Sequence, residues 1–154
     1  LPDSTLIQRR VANVQWHLFA SPGYVDQFGA PATPDDLKGC AGLTLGWRND
    51  IGRWRLKKGI GEAEVVQFLP RLSSDDMLTL KTACAAGLGI VSLPGYVCAE
   101  DVMLGRLQRV LPDWVSAEAT LSLLQPSRHG TAPAVRAFVE HLTRGLQARI
   151  LGQV

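Results

Sequence analysis

The sequence predicts an α/β fold, in which strands and helices alternate along the chain. Segments with the apolar–polar alternation of a strand are followed by segments with the helical spacing of apolar residues. Apolar residues make up 46% of the 154 positions and charged residues 19%, so the chain can bury a core and is not expected to be disordered. This length allows one domain or two small lobes.

The first predicted elements are a strand and two helix starts. Residues 14–18 alternate apolar and polar side chains and run into Phe19 and Ala20, which predicts a strand over residues 14–20 with one buried face. Ser21 supplies an N-cap for a short helix over residues 23–28. Thr33 and Asp36 have the spacing of a capping box and mark the second helix start.

Further strands are predicted where apolar or β-branched residues recur between turn signals. They are residues 43–45, 54–56, 64–69, 89–93, 107–111 and 119–124. A final helix is predicted from Pro133 onward, and its apolar residues keep the spacing of one buried stripe. The stripe consists of Val135, Phe138, Val139, Leu142 and Leu146.

The clearest helix follows residues 73–76, which are Ser, Ser, Asp and Asp. Ser74 or Asp75 is predicted to cap it, and Gly87 is predicted to end it in a left-handed conformation. Its buried face consists of Met77, Leu80, Cys84 and Leu88. Exposed N–H groups at a helix start can also hold a polar or anionic ligand. Ligand binding and a doubled cap are therefore both open for this segment.

The composition argues against several classes of protein. Sixteen Lys and Arg against fourteen Asp and Glu leave a net charge of +2, which is too small for a dedicated nucleic-acid binder. No apolar run is long enough to cross a bilayer and no signal sequence is evident, which predicts a cytoplasmic protein with no membrane partner. Cys40, Cys84 and Cys98 are too far apart for a zinc site or a redox pair, so reduced thiols are expected.

The sequence contains no recognisable catalytic, cofactor or metal motif. A nucleophile elbow, a phosphate-binding loop and a zinc-protease helix are all missing. The three histidines lack metal-ligand spacing. Basic residues at positions 48–58 interleave with Trp47 and Trp54, as in single-strand binders, but a solvated hairpin face explains the same pattern. We therefore expect a binding protein without cofactor or metal, and not an enzyme.

Several motifs follow one another in a characteristic order. They occupy residues 1–4, 18–24, 29–31, 33–37, 74–94, 105–111 and 133–142. The strongest covers residues 74–94, where a polar pair opens a helix that ends in Ala-Gly-Leu-Gly-Ile and continues to Leu93 and Pro94. In this order the chain resembles the C-terminal effector-binding region of LysR-type transcriptional regulators, over nearly its whole length.

The resemblance implies a periplasmic-binding-protein-like fold of two α/β subdomains, joined by two crossing strands, with an effector in the cleft between them. Residues 1–13 would be a crossing segment and a remnant of the first subdomain, with the crossing itself at residues 1–4. Residues 14–113 would form the second subdomain, and residues 114–154 the return strand and C-terminal helix of the first. The chain would then be truncated, and another copy or a missing fragment would cover the apolar stripe of the final helix.

The resemblance also implies an effector site made from a crossing strand, a helix start and a strand end. Its residues would be Pro2, Asp3 and Ser4, then Ser74 and Asp75, then Gly46 and Trp47. The family often has Asn, Ser or Thr where this chain has Asp75. A carboxylate there would repel an acidic effector unless it is paired or protonated, so the charge of the effector stays open.

The implied partners are a small-molecule effector, further copies of the protein as a dimer or tetramer, and DNA only through an N-terminal helix-turn-helix domain outside this sequence.

Two alternatives remain. The same two-lobed scaffold could serve a small-molecule binding protein or an enzyme, because fold alone does not determine function. Cys84 or Cys98 could be a thiol sensor; Cys84 falls on a buried stripe, whereas Cys98 is expected in an irregular, more exposed segment.

Overall fold

The computed structural model describes residues 6–46, 52–126 and 132–151. The strands are β1 Leu6–Ala20, β2 Ala41–Leu45, β3 Arg53–Leu56, β4 Glu64–Gln67, β5 Leu69–Ser74, β6 Ile90–Pro94, β7 Gln108–Val110 and β8 Ala117–Pro126. The α-helices are α1 Pro22–Phe28, α2 Met77–Ala85, α3 Gly95–Met103 and α4 Pro133–Leu151, and a single 3-10 turn covers Pro34–Leu37. None of the described helices is long and apolar enough to cross a membrane.

The chain divides into two compact units. The second unit is one continuous segment, Gln15–Glu118, and the first contains the described residues up to Val14 and from Ala119 onward. The strands β1 and β8 each contribute residues to both units. Strand β1 is longer than the predicted residues 14–20, because exposed polar residues such as Gln8 and Arg9 hide the strand pattern of its first half.

The second unit is built on a sheet with the order β5-β2-β6-β1-β7. Strand β2 runs parallel to β5 and to β6, whereas β1 is antiparallel to β6 and β7. The carboxyl ends of β5, β2 and β6 therefore meet at one edge of the sheet, the usual position of binding sites in open α/β sheets. Residues 64–69, predicted as one strand, form β4 and the beginning of β5. Pro70 is tolerated inside β5 because that strand lies at the sheet edge.

Strands β3 and β4 form a separate antiparallel hairpin with Trp54 opposite Val66. Alternation along β3 buries Trp54 and Leu56 and leaves Arg53 and Arg55 exposed. The Trp54 indole stacks on the Phe68 ring, with centroids 4.0 Å apart. This pair anchors the hairpin to the core of the second unit.

Local signals for the helices of the second unit are confirmed in most cases. Ser21 caps α1 by accepting a hydrogen bond from the Tyr24 N–H at 3.2 Å, and the capping box of Thr33 and Asp36 opens the 3-10 turn. Gly87 has the predicted left-handed backbone, with φ of 82°. On α2, Leu80 and Cys84 are fully buried, as predicted.

In the first unit, the C-terminal half of α4 packs against β1. The Gln147 side chain donates to the Val11 carbonyl at 2.8 Å, and Thr143 is buried. The predicted apolar stripe is only partly covered, because Val135 and Phe138 are 46% and 63% exposed.

Candidate ligand-binding site

Three of the predicted site residues lie together at the carboxyl ends of β2 and β5. The Gly46 N–H donates to the Ser74 carbonyl at 3.1 Å. A Cβ atom on Gly46 would lie 2.7 Å from Asp75 Oδ1 and 3.2 Å from Ser73 Oγ, so the missing side chain lets these polar groups approach the backbone. Gly46, Ser74 and Asp75 thus belong to one cluster, the strand-end cluster. The other predicted residues, Pro2, Asp3, Ser4 and Trp47, lie outside the described residues.

The cap of α2 differs from the prediction. Asp76, and not Ser74 or Asp75, is the N-cap, because β5 continues to Ser74 and the helix begins one or two residues later than expected. The Asp76 carboxylate accepts hydrogen bonds from the Thr79 N–H at 2.8 Å and from the Leu78 N–H at 3.3 Å. Ser74 Oγ in turn accepts from the Asp76 N–H at 3.1 Å. The exposed Asp75 side chain forms no hydrogen bond or ion pair with any residue that the structure describes, so its carboxylate remains available to a ligand.

Replacing Asp76 by alanine is expected to lower the thermal midpoint, because two N–H groups at the start of α2 lose their acceptor. Hydrogen bonds from Thr79 lower the pKa of Asp76. Its stabilising effect is therefore complete above the ordinary carboxyl pKa and is lost as pH falls through the lowered one. Thermal unfolding at several pH values checks this: the difference between wild type and D76A should shrink in acid, whereas an undiminished difference would contradict the capping role.

A small cavity lined by three hydroxyl groups lies beside the strand-end cluster, where β2 runs into Gly46. Thr44 and Ser116 are buried and Ser92 is half-buried, and Ser92 Oγ lies 2.7 Å from Ser116 Oγ. The cavity measures about 40 Å³, enough for a few waters or for the polar end of a small ligand. None of these hydroxyl groups belongs to a residue that the sequence predicts for the site. The available signal was a Thr and a Ser interrupting the otherwise apolar strands β2 and β6.

A larger cavity of about 250 Å³ adjoins the hydroxyl cavity and shares Arg55 and Ser116 with it. We call it the hairpin cavity, because Arg55, Lys57, Gly59 and Ala63 of the β3–β4 hairpin contribute to its lining. Gln15 and residues 115–118 complete the lining. All of these residues belong to the second unit.

His17 and the three cysteines lie in surroundings that fit a structural role. His17 is buried in β1 with its Nδ1 atom 2.7 Å from Arg109 Nη2, and burial together with this cation lowers the His17 pKa. All three thiols are unbridged. The expectation of an exposed Cys98 is wrong: it is fully buried in α3, and burial raises its pKa to about 12. Burial raises the pKa of Cys84 likewise to about 12, which disfavours the reactive thiolate.

Comparison with known proteins identifies the family. Residues 1–147 match the family described as the LysR substrate binding domain. An HTH-type transcriptional regulator of Xanthomonas campestris is 31% identical over 153 residues, covering 95% of this chain and 43% of that protein. The regulator PtxR of Pseudomonas aeruginosa is 30% identical over 149 residues, covering 94% of this chain and 46% of that protein. The chain therefore spans about half the length of these curated relatives.

Solved structures support the same assignment. The regulatory domain of AphB from Vibrio vulnificus superimposes with a TM-score of 0.76 at 28% identity, covering 94% of this chain and 71% of that one. The regulatory domain of CrgA from Neisseria meningitidis, at 23% identity, shows the same fold with a TM-score of 0.80 over 95% of this chain and 71% of that one. The predicted α/β fold of the periplasmic-binding-protein type is thus confirmed. The chain belongs to the LysR substrate-binding domain family.

Proposed function

We propose that this chain is the effector-sensing part of a LysR-type transcriptional regulator and binds a small metabolite at the edge formed by β5, β2 and β6. The hydroxyl cavity is the observation that carries the proposal. Hydroxyl groups that are buried yet line a cavity supply both donors and acceptors to a ligand. The strand-end cluster adds the Asp75 carboxylate, which favours a hydrogen-bond donor on the part of the ligand nearest to it.

The effector would complete its contacts with the other residues that the family resemblance implies. Pro2, Asp3 and Ser4 would approach it from the crossing segment, and Trp47 would follow Gly46 at the end of β2. A ligand bound by groups from several segments favours the conformation in which those segments are close together.

The consequence of binding would be a shift in a conformational equilibrium and not a chemical reaction. An effector can shift that equilibrium by no more than the difference between its affinities for the two states. The relatives are named as HTH-type, that is helix-turn-helix, transcriptional regulators. In the longer protein the shift would change how such helix-turn-helix domains are presented to DNA. This presentation would require self-association as a dimer or tetramer. We include no catalytic step, because the relatives are named as transcriptional regulators.

Replacing Thr44 by valine should abolish or strongly weaken effector binding with little loss of fold. The substitution keeps the shape of the buried side chain and removes its hydroxyl, so a ligand group that bonds to it is left unsatisfied. The measurement is a thermal-shift screen of neutral, anionic and cationic metabolites, because a ligand that binds the folded state raises its midpoint. At least one compound should raise the midpoint of the wild type and fail to raise that of T44V.

Thr143 provides the matched control. It is a buried threonine of α4 that does not line the cavity, and its hydroxyl donates to the Val139 carbonyl at 2.7 Å. T143V should keep the ligand-induced shift even if its own midpoint is lower. Equal shifts in T44V and T143V, or a screen in which no compound stabilises the wild type, would count against the proposed function.

A further inference from the structure

We propose that the effector carries a carboxylate, which Arg55 and Lys57 bind in the hairpin cavity, while its aliphatic body contacts Ala63, Val115 and Ala117. This inference rests on the proposed function and specifies the chemical class of the ligand. The hairpin cavity lies next to the hydroxyl cavity. Neither Arg55 nor Lys57 is among the site residues that the sequence predicts.

Basic side chains share one face of β3 and of the residue that follows it. Alternation buries Trp54 and Leu56 and places Arg53, Arg55 and Lys57 on the opposite face. Residues two apart in a strand are roughly 7 Å apart, so these three cations repel one another. An anion bound between two of them would relieve that repulsion.

Lys57 and its neighbour Lys58 differ in their ion pairs. Lys58 forms an ion pair with Asp113 at 2.9 Å, outside the cavity lining. Neither Arg55 nor Lys57 forms an ion pair with any residue in the described part of the chain. The two cations that line the hairpin cavity thus lack the acidic partner that the adjacent lysine has.

The backbone of Lys57 is paired with another residue of the cavity lining. The Lys57 N–H donates to the Val115 carbonyl at 2.9 Å, and the Val115 N–H donates to the Lys57 carbonyl at 2.8 Å. This pair fixes the backbone just after β3 beside Val115, so Lys57 is presented by a backbone that is already ordered. Ala63, Val115 and Ala117 contribute aliphatic side chains to the lining. A short, branched aliphatic chain suits these side chains and the volume of about 250 Å³.

The net charge of the lining favours a monoanion. Glu118 is the one acidic residue in the described lining, and the Gln15 amide lies within 3.4 Å of its carboxylate. Two cations against one carboxylate leave the cavity net positive. A ligand with an added ammonium group could use Glu118 as well, so amino acids share the carboxylate chemistry and are included in the experiment.

The experiment measures binding of 3-methylbutanoate, its neutral amide 3-methylbutanamide, and L-valine by isothermal titration calorimetry at low ionic strength. The three probes share one aliphatic skeleton and differ in charge. We expect a carboxylate probe to bind at least about tenfold more tightly than the amide. R55Q and K57Q should each weaken carboxylate binding by about tenfold, because each removes one charge-assisted hydrogen bond. K58Q is the matched control and should stay within about twofold of the wild type.

The relative affinities of the three probes and of the variants support or overturn the inference. Tighter binding of L-valine than of 3-methylbutanoate supports the inference and adds Glu118 as the partner of the ammonium group. The inference is overturned if the amide binds as well as the carboxylates, if R55Q and K57Q bind like K58Q, or if neither carboxylate binds the wild type. The proposed function survives any of these results if another compound still stabilises the wild type and not T44V.

Discussion

Replacing Gly42 by alanine is expected to destabilise the protein by about 3 kcal/mol, because the added methyl group has no space. A Cβ atom on Gly42 would lie 1.9 Å from Cδ2 of the Phe68 ring. That ring cannot move away easily, since it is buried and stacks on Trp54. For a chain of this size the expected decrease in thermal midpoint is roughly 6–12 °C. Thermal and denaturant unfolding measure the effect.

A double-mutant cycle tests whether the ring is the cause. F68A alone should cost about 3–5 kcal/mol through the cavity it leaves. The double variant G42A/F68A should be more stable than the sum of the two single effects predicts, because the new methyl group then occupies vacated space. Gly23 is the control position: a Cβ atom there meets nothing within 4 Å, so G23A should be neutral or slightly stabilising. Additive effects of G42A and F68A would show that the clash is not responsible.

Breaking the ion pair between α2 and α3 is the second large expected effect. Asp101 is buried, with its carboxylate 2.7 Å from Lys81 Nζ and 2.6 Å from Arg106 Nε. K81M leaves the buried carboxylate with one partner and should cost about 2 kcal/mol. The double variant K81M/D101L, which places apolar side chains at both positions, should recover much of that loss. Denaturant unfolding of both variants measures the difference. A double variant less stable than K81M would contradict this explanation.

The same ion pair predicts a pH dependence. The hydrogen bond from Lys81, together with Arg106, lowers the pKa of Asp101 from its ordinary value of 3.8, although burial opposes the shift. The stabilisation is therefore complete at neutral pH and is lost as pH falls below 3.8 through the lowered pKa. Without Lys81 the pKa of Asp101 should rise, so K81M loses less of this stabilisation in acid than the wild type does. The difference in free energy of unfolding between wild type and K81M should therefore be full at neutral pH and shrink as pH falls below 3.8. Denaturant unfolding of both proteins at neutral and acid pH measures the difference, and a difference that does not change with pH would rule out the pairing as the cause.

Local structure in this chain follows from short stretches of sequence. Ser21 and Pro22 begin α1, Thr33 and Asp36 begin the 3-10 turn, and Gly87 ends α2, each as predicted. These outcomes depend on a side chain and backbone groups within a few residues of one another. The order of such motifs along the chain also indicates the family.

Two predictions from local sequence are wrong, because contacts between distant segments determine the structure at those positions. The cap of α2 moved to Asp76 because β5 extends to Ser74, and β5 extends that far because Leu45 pairs with Ser74 across the sheet. Cys98 is buried because α3 packs against α2. No local pattern around either residue indicates these contacts.

The candidate binding site depends both on local sequence and on pairing between distant segments. The sequence by itself indicated the α/β class and the family, and it predicted Ser74 and Asp75 among the residues of a candidate site. Only the tertiary structure brought Thr44, Ser92 and Ser116 to one cavity and turned Arg55 and Lys57 toward the next. These residues come from separate strands and loops, so their proximity results from sheet pairing and core packing. Sheet pairing and core packing join residues that are far apart in sequence. They therefore produce no pattern among the few neighbouring residues from which local structure is predicted.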